Sequence, residues 1–169
     1  MRTSMAKWSL VLLCFATACA VGGGLYEHVV LMPLWAAAPP SSFSIIQPGT
    51  GVPLQRFWVP VHLAITVLLP FSLVLAWTER KVRLFLFIGL TSYLVMRVWS
   101  ILFFIPEMLS FQRVPLDSPP SAELLERVME WTSFTWYREP LVAIAFLSFL
   151  LALYWLKRPR GFTRQEALP

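Results

Sequence analysis

The chain has 169 residues, of which 57% are hydrophobic and only 14% charged, and its formal net charge is +5. Soluble domains carry about 25% charged residues, so an ordinary soluble core is excluded. The basic residues cluster at particular chain positions instead of forming a basic face, which excludes nucleic acid as the natural partner.

Arg2 and Lys7 lead into an apolar run over 8–34. A spanning helix needs about 20 apolar residues, and in lipid such a run must satisfy its own backbone hydrogen bonds. The run predicts a first transmembrane helix over about 8–31. Ala18-Cys19-Ala20 fits a signal-peptide cleavage site, but hydrophobicity continues through Gly22-Gly23-Gly24 to Leu34, so the expectation is a retained helix. Cys14 and Cys19 have neither redox-pair nor zinc spacing and read as apolar filler. The three glycines allow close helix packing. Glu27 and His28 lie near the end of this helix.

The segment 33–56 holds Pro39-Pro40, Pro48-Gly49 and Gly51-Val52-Pro53, which interrupt regular helix. Trp35, Phe43, Ile45 and Ile46 are too apolar for a disordered linker, so the segment predicts an ordered cap on the bundle. A second helix follows over about 57–77, with His62 a turn and a half inside it. Arg80, Lys81 and Arg83 mark a short turn.

The third helix spans about 84–105 and contains Arg97 among apolar neighbours. Charged residues at membrane depth are expensive and each needs a reason. Arg97, Ser100, Phe104 and Glu107 recur at three- and four-residue steps, which predicts one shared face. In the segment 106–137, Ser118 and Pro119 suit a helix start, and Leu124, Leu125, Val128, Met129 and Trp131 repeat at helical spacing. They predict a short amphipathic helix of about three turns. Trp131, Trp136 and Tyr137 suit an interfacial belt. Arg138 and Glu139 open a fourth helix over about 138–156, followed by Lys157, Arg158, Arg160 and Arg164.

Nine basic residues fall at the two termini and the 80–83 turn, and four fall in the other two connections: Arg56, Arg113, Arg127 and Arg138. By the positive-inside rule this puts both termini in the cytoplasm of a bacterial-type inner (plasma) membrane. The expected fold is all-α: a single membrane domain over 1–169, built as a four-helix bundle with two long external segments.

Each helix then carries a charged or titratable group toward the external side, which predicts a polar pocket there. His62 is the candidate base and Arg97 the candidate oxyanion holder, with Glu27 and Glu107 orienting them. Trp35, Trp58, Phe104, Trp131 and Arg138 are candidate substrate contacts. Glu27, His28, His62 and Glu107 are also the donors a transition metal would use. Adjacent Glu27 and His28 point about 100° apart on a helix, which disfavours a shared ion. The cofactor expectation is therefore none, or a transition metal ion. A purely structural Arg/Glu/His cluster is the competing reading.

Met32-Pro33-Leu34, then Phe103-Phe104-Ile105-Pro106-Glu107, then Trp131, Trp136 and Arg138 give an order of features that resembles the anthrone-oxygenase-like family of small four-helix membrane proteins. The resemblance covers most of the chain. It implies an oxidoreductase of oxygenase type, acting on polycyclic aromatic phenols without an obvious cofactor motif. The expected partners are the lipid bilayer and a lipophilic small molecule, with a second copy of the chain or a membrane partner protein left open. The alternative expectation is a non-enzymatic accessory subunit or small-ligand-binding protein.

Overall fold

The computed structural model describes residues 2–157, and among them it is helical without strands. Four helices are long and apolar enough to cross a membrane: Thr3–Trp35, Gln55–Leu75, Arg80–Phe111 and Ala122–Lys157. Arg158, Arg160 and Arg164, which contribute to the charge asymmetry, lie outside the described residues. Large apolar side chains such as Phe15, Leu63, Val67, Leu102 and Leu147 point outward on every helix. That is the surface a bilayer requires.

The third helix packs along the fourth, the fourth along the first, and the first along the second. The second and third are joined by a tight turn yet touch little, so a slot separates them. The membrane-zone core contains Leu10, Leu13, Ile65, Leu86 and Phe149, all fully buried. Two polar contacts tie helices inside it: Ser9 Oγ to Ser72 Oγ at 2.6 Å, and the Ser92 hydroxyl donating to the Leu141 carbonyl at 2.8 Å.

A second core lies at the end away from the termini. It contains Trp35, Phe43, Phe104, Phe111, Val128 and Trp131. The 33–56 segment contributes to it through a short 3-10 turn, Ser41–Ile45. Ser42 donates to the Trp35 carbonyl and Gln112 to the Ile46 carbonyl, which pins the segment as a cap. Gly49 takes φ +85° in the Pro48-Gly49 turn, a conformation that L side chains disfavour.

The helices run further than their prolines suggest. Glu27–Leu31 and Ser100–Phe104 are single π turns, each followed after one residue by a proline, Pro33 and Pro106. The Met32 and Ile105 amides reach back five residues, to the carbonyls of Glu27 and Ser100. A proline ring clashes with the carbonyl four residues back and offers no N–H. The widened turn accommodates both effects, so the first and third helices continue into the cap. The fourth helix likewise continues through Pro140. The amphipathic stretch near 122–132 is therefore the leading part of the fourth helix and shares its axis.

The third and fourth helices have 32 and 36 residues. At 1.5 Å per residue they are about 48 and 54 Å long, against about 30 Å of hydrocarbon. About 20 Å of each projects beyond one face of the bilayer, and the aromatic cap is built on that projection.

Candidate functional site

A layer of polar side chains separates the two cores. On the first helix Glu27 and His28 lie between Val21 and Met32, which belong to different cores. On the fourth, Arg138 and Glu139 lie between Phe134 and Leu141, again members of different cores. Arg97 occupies the same interval on the third helix, between Met96 and Trp99, and Trp58 and His62 stand near the cap end of the second. Counted from Lys7, Arg80 and Lys157 at the opposite end, Glu27, Arg97 and Arg138 are about 25–30 Å along their helices. That is the cap-side boundary of the hydrocarbon.

Within this layer the Trp58 indole donates to the Glu27 carboxylate at 2.9 Å. Trp58 also stacks on the His62 ring, with centroids 5.5 Å apart at 19°. The Nδ1 of His62 lies 2.9 Å from the Tyr93 hydroxyl. Arg138 contacts Glu139 at 3.3 Å and lies over the Phe104 ring, 4.5 Å from its centroid. Gly24 makes room for the Glu139 carboxylate, because a Cβ there would overlap it. The first and fourth helices thus meet through a glycine and an acid.

Arg97 differs from its neighbours. Among the described residues it has no hydrogen-bond acceptor and no paired carboxylate, and the ion pairs found are Arg127–Glu107 and Arg138–Glu139. Arg97 lines a cleft of about 430 Å³ in the slot between the second and third helices. Tyr93 shares its polar end, and Thr66, Leu69, Pro70, Leu73, Leu90 and Leu94 line the rest. Thr66, Pro70 and Leu94 are exposed on the bundle surface, so the cleft opens sideways toward lipid.

The expected residues do not all meet. Glu107 is away from Arg97: it accepts from Arg127 at 2.8 and 3.1 Å, and Arg127 also contacts Ser110. The π turn at Ser100–Phe104 explains this. One extra residue in the turn rotates everything beyond it by about 100°, which takes Glu107 off the Arg97 face. Trp35, Phe104 and Trp131 form the cap core, with Trp131 donating to the Phe104 carbonyl at 3.1 Å. They roof the polar layer and do not line the cleft. Trp58 and Arg138 belong to the polar layer and are occupied by Glu27 and Glu139.

His28 is buried, and neither ring nitrogen has a hydrogen-bond partner. Its ring meets Trp136 edge-on, with centroids 3.9 Å apart. Among the described residues no three His, Cys, Asp or Glu side chains gather as a metal site requires. The set Glu27, His28, His62 and Glu107 is not brought together, because Glu107 is held by Arg127. Tyr93 is the residue beside His62 that helix-by-helix reading missed. Its position relative to His62 follows from the hairpin, since the two lie at similar distances from the turn near 76–79.

No protein-family model, curated protein or solved structure matches the chain.

Proposed function

We propose that the protein is an oxygenase-like oxidoreductase that takes a lipophilic aromatic hydroxyl compound from the bilayer into the cleft between the second and third helices. The observation that carries this reading is Arg97, a half-buried guanidinium at the hydrocarbon boundary with no counter-ion among the described residues. A charge that faces the bilayer without a partner is costly, and a phenolate would supply the missing partner. Tyr93 lines the same cleft and reaches His62 Nδ1 at 2.9 Å. A substrate hydroxyl at the polar end passes its proton to the Tyr93 oxygen as Tyr93 passes its own to His62. Arg97 holds the resulting oxyanion. In this reading the phenolate ring supplies four electrons to one dioxygen: a ring C–H bond is replaced by a bond to one oxygen atom to give a quinone, and the other oxygen atom leaves as water with the two hydrogens lost.

The charge asymmetry supports an orientation with both termini cytoplasmic and the polar end of the cleft in the outer leaflet of an inner membrane. A substrate dissolved in that leaflet enters sideways and needs no aqueous channel.

A second reading is a ligand-binding or accessory protein without turnover. It is favoured by the carboxylates, since Glu27 and Glu107 are both hydrogen-bonded inside the protein. Oxygen uptake by purified protein with hydroxylated polycyclic aromatics separates the two. The oxygenase reading expects uptake that falls by about 10²–10⁴ in Tyr93→Phe, the range for loss of a general acid–base. Full turnover in both Tyr93→Phe and Arg97→Met would sink the assignment. Tight binding with no uptake by the native protein selects the second reading.

A further inference from the structure

The shape of the cleft narrows the kind of molecule it takes. The His62–Tyr93 contact sets the second and third helices side by side, with Arg97 near the level of Trp58 and Leu73 near the level of Val82. Arg97 and Leu73 mark the two ends of the cleft, and its walls between them are mostly apolar. Its volume of about 430 Å³ is room for one head group with a single alkyl chain and too little for a two-chain lipid. A compact fused-ring system would leave the Leu73 end empty.

The chemistry of the walls divides along the same axis. Arg97 and Tyr93 stand at the upper part, Thr66 and Leu90 near the middle, and Leu69 and Leu73 continue toward the bilayer centre. Arg97 lies at the hydrocarbon boundary. An amphiphile in the leaflet already places its polar head at that depth, with its tail pointing toward the midplane.

From this match of volume, wall chemistry, charge and depth, we infer that the ligand is a single-tailed amphiphile: an acidic aromatic hydroxyl head at Arg97 with one unbranched alkyl tail lying along Leu90, Leu69 and Leu73. This rests on the proposed reading that the cleft takes a lipophilic hydroxyl compound, and it replaces the tail-less polycyclic phenol with a tailed one.

Full-length protein in lipid nanodiscs, titrated with 4-ethylphenol, 4-hexylphenol and 4-dodecylphenol, tests it, with partition into protein-free nanodiscs subtracted. Affinity is expected to rise at least tenfold from hexyl to dodecyl. Dodecylbenzene, which lacks the hydroxyl, is expected to bind at least tenfold more weakly than 4-dodecylphenol. Leu73→Trp fills the tail end and is expected to abolish the rise while leaving 4-hexylphenol within twofold. Leu73→Phe, a smaller enlargement at the same half-buried position, is expected to reduce the rise if Leu73→Trp fails to fold. Affinity independent of tail length, or a rise untouched by the wall variants, overturns the inference. A tail-length rise without oxygen uptake removes the oxygenase reading and keeps the ligand class. Equal oxygen uptake from tailed and tail-less phenols keeps the oxygenase reading and overturns the ligand class.

Discussion

Replacing Gly89 by alanine should destabilise the bundle, whereas the same change at Gly22 should not. Gly89 is buried where the third helix meets the fourth. A Cβ at this position would overlap the Phe149 ring, with Cδ1 2.8 Å and Cζ 2.9 Å away. Ordinary carbon contacts need about 3.5–4.0 Å. The ring is fully buried, so it has no open space to enter. Overpacking of this kind costs about 1–3 kcal/mol. Gly22 offers a control, since nothing lies within 4 Å of its added Cβ. Both substitutions gain about 1 kcal/mol of helix propensity. That gain cancels in the comparison, so Gly89→Ala should be less stable than Gly22→Ala by about 1–3 kcal/mol. Reversible unfolding in mixed micelles measures the difference. Adding Phe149→Leu to Gly89→Ala should recover at least half of it, since residues in contact couple. Equal stabilities for the two glycine variants would refute the packing of the third helix on the fourth.

Three further outcomes follow from the polar layer and the cap. His28→Leu removes a buried ring with two unsatisfied nitrogens and should leave stability unchanged or raise it by about 1 kcal/mol; a large loss in thermal unfolding would mean that His28 holds a ligand. Glu107→Gln breaks a pair whose side chains are 36% and 27% exposed, so its cost should stay below about 1 kcal/mol. It should also leave phenol binding unchanged by titration calorimetry. Trp131→Phe removes the indole donor from the Phe104 carbonyl at a buried position and should cost about 1–2 kcal/mol in the same unfolding assay, with the cleft affinity retained.

The four spans were legible because hydropathy over 20 residues responds to lipid and needs no knowledge of partners. Their ends were less so. Pro33 and Pro106 mark the expected ends of the first and third helices, yet both are absorbed by π turns, and the helix expected over 138–156 begins already at Ala122. Those turns also broke the face that joined Arg97 to Glu107, since a 3.6-residue period cannot register an inserted residue. His62 and Arg97 stood out as costly groups in apolar runs. Tyr93 did not, because a tyrosine in such a run reads as packing until the hairpin register sets its hydroxyl against His62. Trp35 and Trp131 were expected at a substrate mouth. Their aromatic surface instead builds the cap core, a choice between binding and packing that composition alone does not make.

The central claim is that Arg97 awaits an acidic lipophilic head in the slot between the second and third helices. A structure of the protein with 4-dodecylphenol bound tests it most directly. The account predicts the phenol oxygen within hydrogen-bond distance of the Arg97 guanidinium and the Tyr93 hydroxyl, with the tail running between Leu69 and Leu90 toward Leu73. A phenol bound elsewhere, with Arg97 paired to a carboxylate of the chain and the slot closed, would contradict it.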